Sequence, residues 1–376
     1  MNTNIQTVTA TMNPITEAVF EFKNQIFNHR IAKRTFKDLG AALGAISSPQ
    51  IIILTGPPGV GKSTLADRAR DRLIAGNSKQ LNSEPDFVPV VRVDAVAPTT
   101  GTFSWKDFYI RLLTGQNEPL VERKLLVNPQ AAFFPNPHSQ ARGLEHSVSD
   151  ALRRSVEQYL RLRRTKLLFI DEAQHLLMVN GPHRLECQFE CLKSLTIQTG
   201  VTILLSGTYR LLDILDLSGQ LTRRSQVVHF PRYDLRSKED REDYRKALVF
   251  LESKLAAHVP VALDVNADYF YRKSAGCIGI LKDWLARCLE NALLEQAPII
   301  DAAFAERFAI TNRGVATIVE EACCGEGRLT DASDDYLTDL LNNGVLLAGS
   351  KTKTIRTPYR PGKRNPKRDL VGEMRV

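Results

Sequence analysis

Gln50-Ile51-Ile52-Ile53-Leu54-Thr55-Gly56-Pro57-Pro58-Gly59-Val60-Gly61-Lys62-Ser63-Thr64 is the stretch on which the reading of this chain turns. Its first half is apolar without alternation, the pattern of a short strand covered on both faces in a parallel sheet. Its second half fits G-x-x-x-x-G-K-[ST], the loop that cradles phosphates. Glycines let the backbone wrap a polyphosphate with its N–H groups turned inward. The helix that starts near Lys62 adds its positive end. Gly56, Pro57, Pro58, Gly59, Val60, Gly61, Lys62, Ser63 and Thr64 are therefore the candidate nucleotide-binding residues. The Lys62 ammonium is expected on the β- and γ-phosphates and the Ser63 hydroxyl on Mg²⁺, so ATP and Mg²⁺ are the expected cofactors.

A second strand, Lys166-Leu167-Leu168-Phe169-Ile170, runs into Asp171-Glu172. An apolar strand ending in two acids is the partner motif of a phosphate loop. Asp171 is the expected second metal ligand. Glu172 is placed to polarise a water for attack on the γ-phosphate. A third strand, Val201–Leu205, ends in Ser206-Gly207-Thr208. A polar group at that end reaches between the acids and the γ-phosphate; Thr208 is the first choice and Ser206 the second. Arg223 and Arg224 precede a fourth strand, Gln226–Phe230, and one of them is expected to reach a neighbouring subunit's ATP as a finger in trans.

With Val88–Val93 these make five strands, separated by helical patterns at 62–75, 104–114, 145–164, 172–179, 183–199 and 208–216. Alternation of that kind predicts an α/β domain around a parallel five-stranded sheet. The organisation expected is a helical lead-in (1–46, a helix over 14–46), the α/β domain (47–235), a small helical domain without strands (236–310), a C-terminal extension (311–350) and a basic tail (351–376). Gly325 and Gly327 read as a break in the extension. The tail holds nine basic residues against two acidic ones, a net of +7 out of the chain's +8. A basic arm of this kind suits nucleic acid or an acidic partner. Aromatics interleaved with Lys106 and Arg111 over 103–111 make those two cations candidate DNA contacts, although the same aromatics suit a helix packed on the core. No apolar run is long enough for a membrane span, the first residues lack signal-peptide layout, and six cysteines show no framework spacing. A cytoplasmic protein with no membrane partner is expected.

The motif set resembles the AAA+ ATPases, which implies a P-loop ATPase sheet domain followed by a helical lid. Within that class several segments are similar to the TnsC/TniB family of bacterial transposons, some of them CRISPR-associated. They are Ile26-Phe27-Asn28-His29-Arg30, the run from Phe103 to Tyr109, Ile170-Asp171-Glu172-Ala173-Gln174-His175-Leu176-Leu177, Leu205-Ser206-Gly207-Thr208, and Ala275-Gly276-Cys277-Ile278-Gly279-Ile280-Leu281. The resemblance implies a nucleoid-associated regulator of DNA transposition. Such a protein is a homo-oligomeric ring or filament on double-stranded DNA that links a target-selector protein to the transposase. ATP binding drives assembly and hydrolysis drives release. A replication initiator or helicase loader is the alternative within the same class. One departure stands out: where many lids of this class carry an arginine after the Gly-rich turn, Ile280 and Leu281 follow Gly279, and Lys282 is the nearest cation.

Overall fold

The computed structural model describes residues 13–44, 51–99, 101–116, 137–179, 182–215, 225–263 and 266–343. Helices α1 (Pro14–Asn24) and α2 (Arg30–Gly44) lead into β1 (Ile51–Thr55), α3 (Lys62–Gly76), α4 (Ser78–Ser83), β2 (Val90–Asp94), α5 (Trp105–Gly115), α6 (Pro137–Leu162), β3 (Leu167–Asp171), α7 (Pro182–Thr199), β4 (Thr202–Gly207) and β5 (Ser225–His229). There follow α8 (Lys238–Leu255), β6 (Val261–Ala262), α9 (Ala267–Lys273), α10 (Ile278–Glu295), β7 (Ile300–Asp301), α11 (Ala302–Glu306), α12 (Asn312–Arg328) and α13 (Asp334–Asn343). The chain forms two compact units, Met1–Leu329 and Thr330–Val376. In the second, α13 begins with Asp334 and Asp335, and the Ser333 hydroxyl accepts from the Tyr336 N–H; acids and a serine cap suit a helix start.

In the first unit β1 to β5 form a parallel sheet in the order β2-β3-β4-β1-β5. The unbroken apolar strands are explained by burial on both sides. Ile51 and Ile53 pack with Val91, Leu168 and Ile203 under α5, α6 and α7. Ile52 and Leu54 pack with Phe169, Leu204 and Val228 on the opposite face, which α2 and α3 cover. This order sets the carboxyl ends of β3, β4 and β1 side by side. Ligands of open parallel sheets bind at such ends.

Three local expectations are corrected. The helix expected over 14–46 is two helices, because Gln25 turns extended (φ −62°, ψ 131°) and the chain restarts at Arg30. The His29 Nδ1 accepts from the Ala32 N–H at 3.3 Å at the start of the second helix. Phe27 leaves the helical face and rests on Phe250 of α8, ring centroids 5.1 Å apart. The region after the sheet is not free of strands either: β6 and β7 make a short parallel pair.

Third, Gly325 and Gly327 lie inside α12 rather than at a break. Tertiary packing explains Gly325: a Cβ there would lie inside the Tyr209 ring's contact shell. Arg232 pairs with Glu326 at 3.0 Å, and Arg328 with Asp213 at 2.9 Å, on either side of that contact. Gly327 has nothing within 4 Å of its missing Cβ. The two glycines therefore predict opposite outcomes. Gly327→Ala gains helix propensity and stabilises by about 0.5–1 kcal/mol. Gly325→Ala gains the same propensity but overpacks Tyr209, at a cost of about 1–3 kcal/mol, and destabilises on balance. Urea unfolding midpoints of the two variants check the sign of each.

Candidate active site

The phosphate loop starts where β1 ends. Gly56 passes so close to the Phe230 carbonyl that a Cβ would collide with it. Gly59 and Gly61 turn through φ +71° and +102°, conformations that L side chains avoid. No side chain caps α3, so the N–H groups of its first turn remain available to an anion. Lys62 folds back over the loop and donates to the carbonyls of Gly56 (3.0 Å) and Pro57 (2.8 Å). Burial pushes its ammonium down to about 8, against the opposing pull of Glu172, Cys277 and Asp171.

A cleft of 460 Å³ opens above the strand ends, and Lys62, Ser63, Thr64, Asp171, Glu172 and Thr208 all line it. The structure thus brings together the candidates from three separate strand ends. Asp171 is buried; its Oδ1 accepts from the Glu172 N–H at 3.0 Å and its Oδ2 from the Arg92 guanidinium at 3.0 Å. Glu172 is exposed, with its backbone in the left-handed region at φ 50°. Thr208 Oγ1 is buried without a hydrogen-bond partner among the described residues. An orphaned hydroxyl in a cleft lined by a lysine and two acids fits a phosphate ligand. No cluster of three metal-ligating side chains occurs among the described residues. Ser63 and Asp171 accordingly fit Mg²⁺ only in the way that ion is usually held beside a nucleotide, with phosphate and water completing its shell.

The helical segment after the sheet closes the cleft. The Gly279 N–H, in the first turn of α10, donates to the Gly59 carbonyl at 2.7 Å, and Ile280 packs where a Gly59 side chain would otherwise stand. Lys282 does not stand free: its Nζ donates to the Gln25 carbonyl at 2.7 Å, and burial lowers its pKa. The segment between α1 and α2 forms the remaining wall. His29 stacks near Phe230 (6.0 Å) and Tyr233 (5.3 Å), and burial drives its pKa down to about 4, so it is neutral at physiological pH. Arg30 is bound by Asp240 and Asp243 of α8.

Two residues of this neighbourhood are given no role by the sequence motifs. Arg92 of β2 holds Asp171, pairs with Asp67 of α3 and lies 5.1 Å over the Phe169 ring. An arginine inside Val90-Val91-Arg92-Val93 was the available signal, since a charge in a buried strand needs a partner. Gln174, in the 3-10 turn Ala173–Leu177, touches both Glu172 and the Thr208 backbone. Lys106 and Arg111 are exposed on α5, outside the cleft lining, and Arg111 is paired with Asp107 at 2.7 Å. The aromatics around them are mostly core: Phe103, Phe108 and Tyr109 are buried. Arg223, Arg224 and the tail 351–376 lie outside the described residues.

Residues 45–215 match the family described as an AAA domain. Together with the five-stranded parallel sheet, this makes the segment the P-loop core of an AAA+ ATPase, and its activity is hydrolysis of ATP. ATP with Mg²⁺ is the generic ligand of such a domain. No curated protein matches the chain. Solved structures of similar fold include Aeropyrum pernix ORC1 in complex with DNA (16% identity, TM-score 0.49, 77% of this chain and 67% of that one). Drosophila ORC bound to DNA is another (14%, 0.45, 91% and 86%), and a Walker-type ATPase of Pyrococcus abyssi a third (16%, 0.42, 80% and 74%). At these values neither activity nor partners are carried over from them. Among the described residues no helix is long and apolar enough to cross a membrane.

Proposed function

We propose that the chain is an ATP-switched AAA+ ATPase that assembles as an oligomer on double-stranded DNA. The observation that carries the ATP switch is the meeting of Lys62, Asp171, Glu172 and Thr208 in one cleft whose wall includes the first turn of α10. A ligand in that cleft touches the sheet and the lid helix together, so its γ-phosphate has a direct way to bias their arrangement. On this reading the Gly56–Thr64 loop cradles the phosphates and Thr208 reads the γ-phosphate. Glu172 orients the water. As the new oxygen–phosphorus bond forms, the water's proton moves to the Glu172 carboxylate. The bond to the β-phosphate oxygen breaks, and Lys62 stands where the leaving oxygen gathers charge. Bound Mg²⁺, with Ser63 and Asp171 as its protein donors, supplies neutralisation of phosphate charge.

DNA is proposed from the basic tail and from the segments that resemble TnsC/TniB proteins. The finer reading is a regulator of transposition with transposase and target-selector partners. It stands on those segments, since none of the structures cited above is described as a transposition protein. A replication initiator or helicase loader uses the same site and differs in the partner it recruits. The test is duplex binding with and without ATP across a salt series. Binding is expected to require ATP, and log K to fall by about 0.9 per phosphate contact for each log unit of salt. Deleting 351–376 and substituting Lys106→Ala with Arg111→Ala separate the two candidate grips. Equal binding without ATP overturns the switch, and electron microscopy of the ATP–DNA sample shows ring or filament directly.

A further inference from the structure

Glu172 carries the proposed chemistry from an exposed position with a left-handed backbone, and a glutamate so placed has free side-chain rotors unless something fixes them. Gln174 supplies that restraint. Its Nε2 donates to Glu172 Oε2, and its Oε1 accepts from the Thr208 N–H at 3.2 Å. One amide therefore spans from the end of β3 to the end of β4. The neighbouring sequence is fitted to it. Gly207 lacks the Cβ that would collide with Gln174 Oε1, so the amide occupies space that a side chain at 207 would fill. The turn bearing Gln174 is pinned from a third direction, because the adjacent His175 Nδ1 lies 2.7 Å from the Ala95 carbonyl beyond β2.

We propose that Gln174 is a positioning residue for ATP hydrolysis: it clamps one oxygen of Glu172 to the Thr208 backbone and leaves the other oxygen aimed at the water. The inference rests on the proposed role of Glu172. Amide geometry suits the task, since a primary amide presents a donor and an acceptor at fixed separation. A carboxylate held by one oxygen keeps its second lone-pair set in a constant direction. Correct orientation of a base is worth orders of magnitude in rate, while a displaced base still leaves nucleotide binding intact. The clamp also joins the γ-phosphate reader to the group that acts on it, so the two move as one body.

The test uses the full chain, three single variants and one double variant. Gln174→Met keeps the length and packing of the side chain but neither hydrogen bond. It is expected to lower kcat about 10- to 100-fold, with KM and the ADP dissociation constant within about twofold of the parent. Gly207→Ala, which pushes the same amide out from a different position, is expected to lower kcat in the same way. Glu172→Gln is run in parallel as the reference. In the Glu172→Gln background, Gln174→Met should cost nothing more, because groups that act as a unit are non-additive. Parental kcat in Gln174→Met beside an inactive Glu172→Gln overturns the clamp and leaves the proposed site standing. Parental kcat in Glu172→Gln overturns both. Losses that multiply in the double variant also overturn the clamp, since Gln174 then acts elsewhere. A rise in KM or a weakened ADP affinity in Gln174→Met assigns the residue to packing of the cleft and overturns the inference as well. Thermal unfolding of each variant confirms that the fold is retained.

Discussion

Glu172→Gln lowers the rate of ATP hydrolysis by about 10²- to 10⁴-fold and leaves nucleotide affinity within about twofold; this is the expected result. The substitution replaces a carboxylate by an amide of the same shape. It removes the proton acceptor without emptying the cleft. The loop residues proposed to hold phosphate lie on another strand end, and Lys62 keeps its two carbonyl partners. The Asp171 contact to residue 172 uses the backbone N–H, which the variant retains. Phosphate release and nucleotide binding measured on one sample check both halves. A parental hydrolysis rate removes Glu172 from the chemistry, and a collapse of affinity places it in binding instead.

ATP affinity falls as pH rises through about 8, and Lys62→Ala weakens it by two orders of magnitude or more at neutral pH. Both results come from one buried ammonium. Lys62 titrates at about 8 in the folded protein because burial disfavours its charge. A bound polyphosphate favours the charge and raises that value. Binding therefore takes up a proton wherever the free lysine is already neutral. Below pH 8 this contribution is flat; above it, affinity drops by up to about tenfold per pH unit until the complex itself titrates. Stability responds with the opposite sign. A lysine whose folded pKa lies below its unfolded value penalises the fold by roughly 3 kcal/mol at low and neutral pH, and the penalty is released between about pH 8 and 10.5. Calorimetric titration of ATP at pH 7, 8 and 9 checks the first sign, and denaturation midpoints over the same range check the second. Lys62→Ala removes both dependences.

The sheet and the centre of the site were legible because they depend on local pattern. An unbroken apolar run, a glycine-rich loop and two acids at a strand end identify themselves within fifteen residues. What escaped depends on distance in sequence. Ile26 and Phe27 continue the apolar spacing of α1, so the turn at Gln25 was invisible until Phe27 was seen against Phe250 of α8. Gly325 resembles a helix break unless Tyr209 is known to lie against it. Arg92 acquires its meaning from the pairing of β2 with β3, which sets Arg92 beside Phe169 two residues from Asp171. Gln174 sits in a quoted motif, yet its partner Thr208 follows the end of the next strand of the sheet, and a motif read along one strand does not look sideways.

The joint between Gly279 and Gly59 places an unusual restriction on how this chain can drift. The contact is written in backbone atoms, so it specifies no side-chain chemistry and offers no charge that a compensating change elsewhere could restore. A Cβ at 279 would run into the Gly59 backbone, and one at 59 into Ile280. Position 59 is confined a second time by its positive φ. Descendants of this sequence are therefore free to exchange the apolar residues around the joint for others of similar volume, but any side chain at either glycine wedges loop and lid apart. An arginine reaching for phosphate can be relocated to a neighbouring turn during evolution; two facing absences cannot.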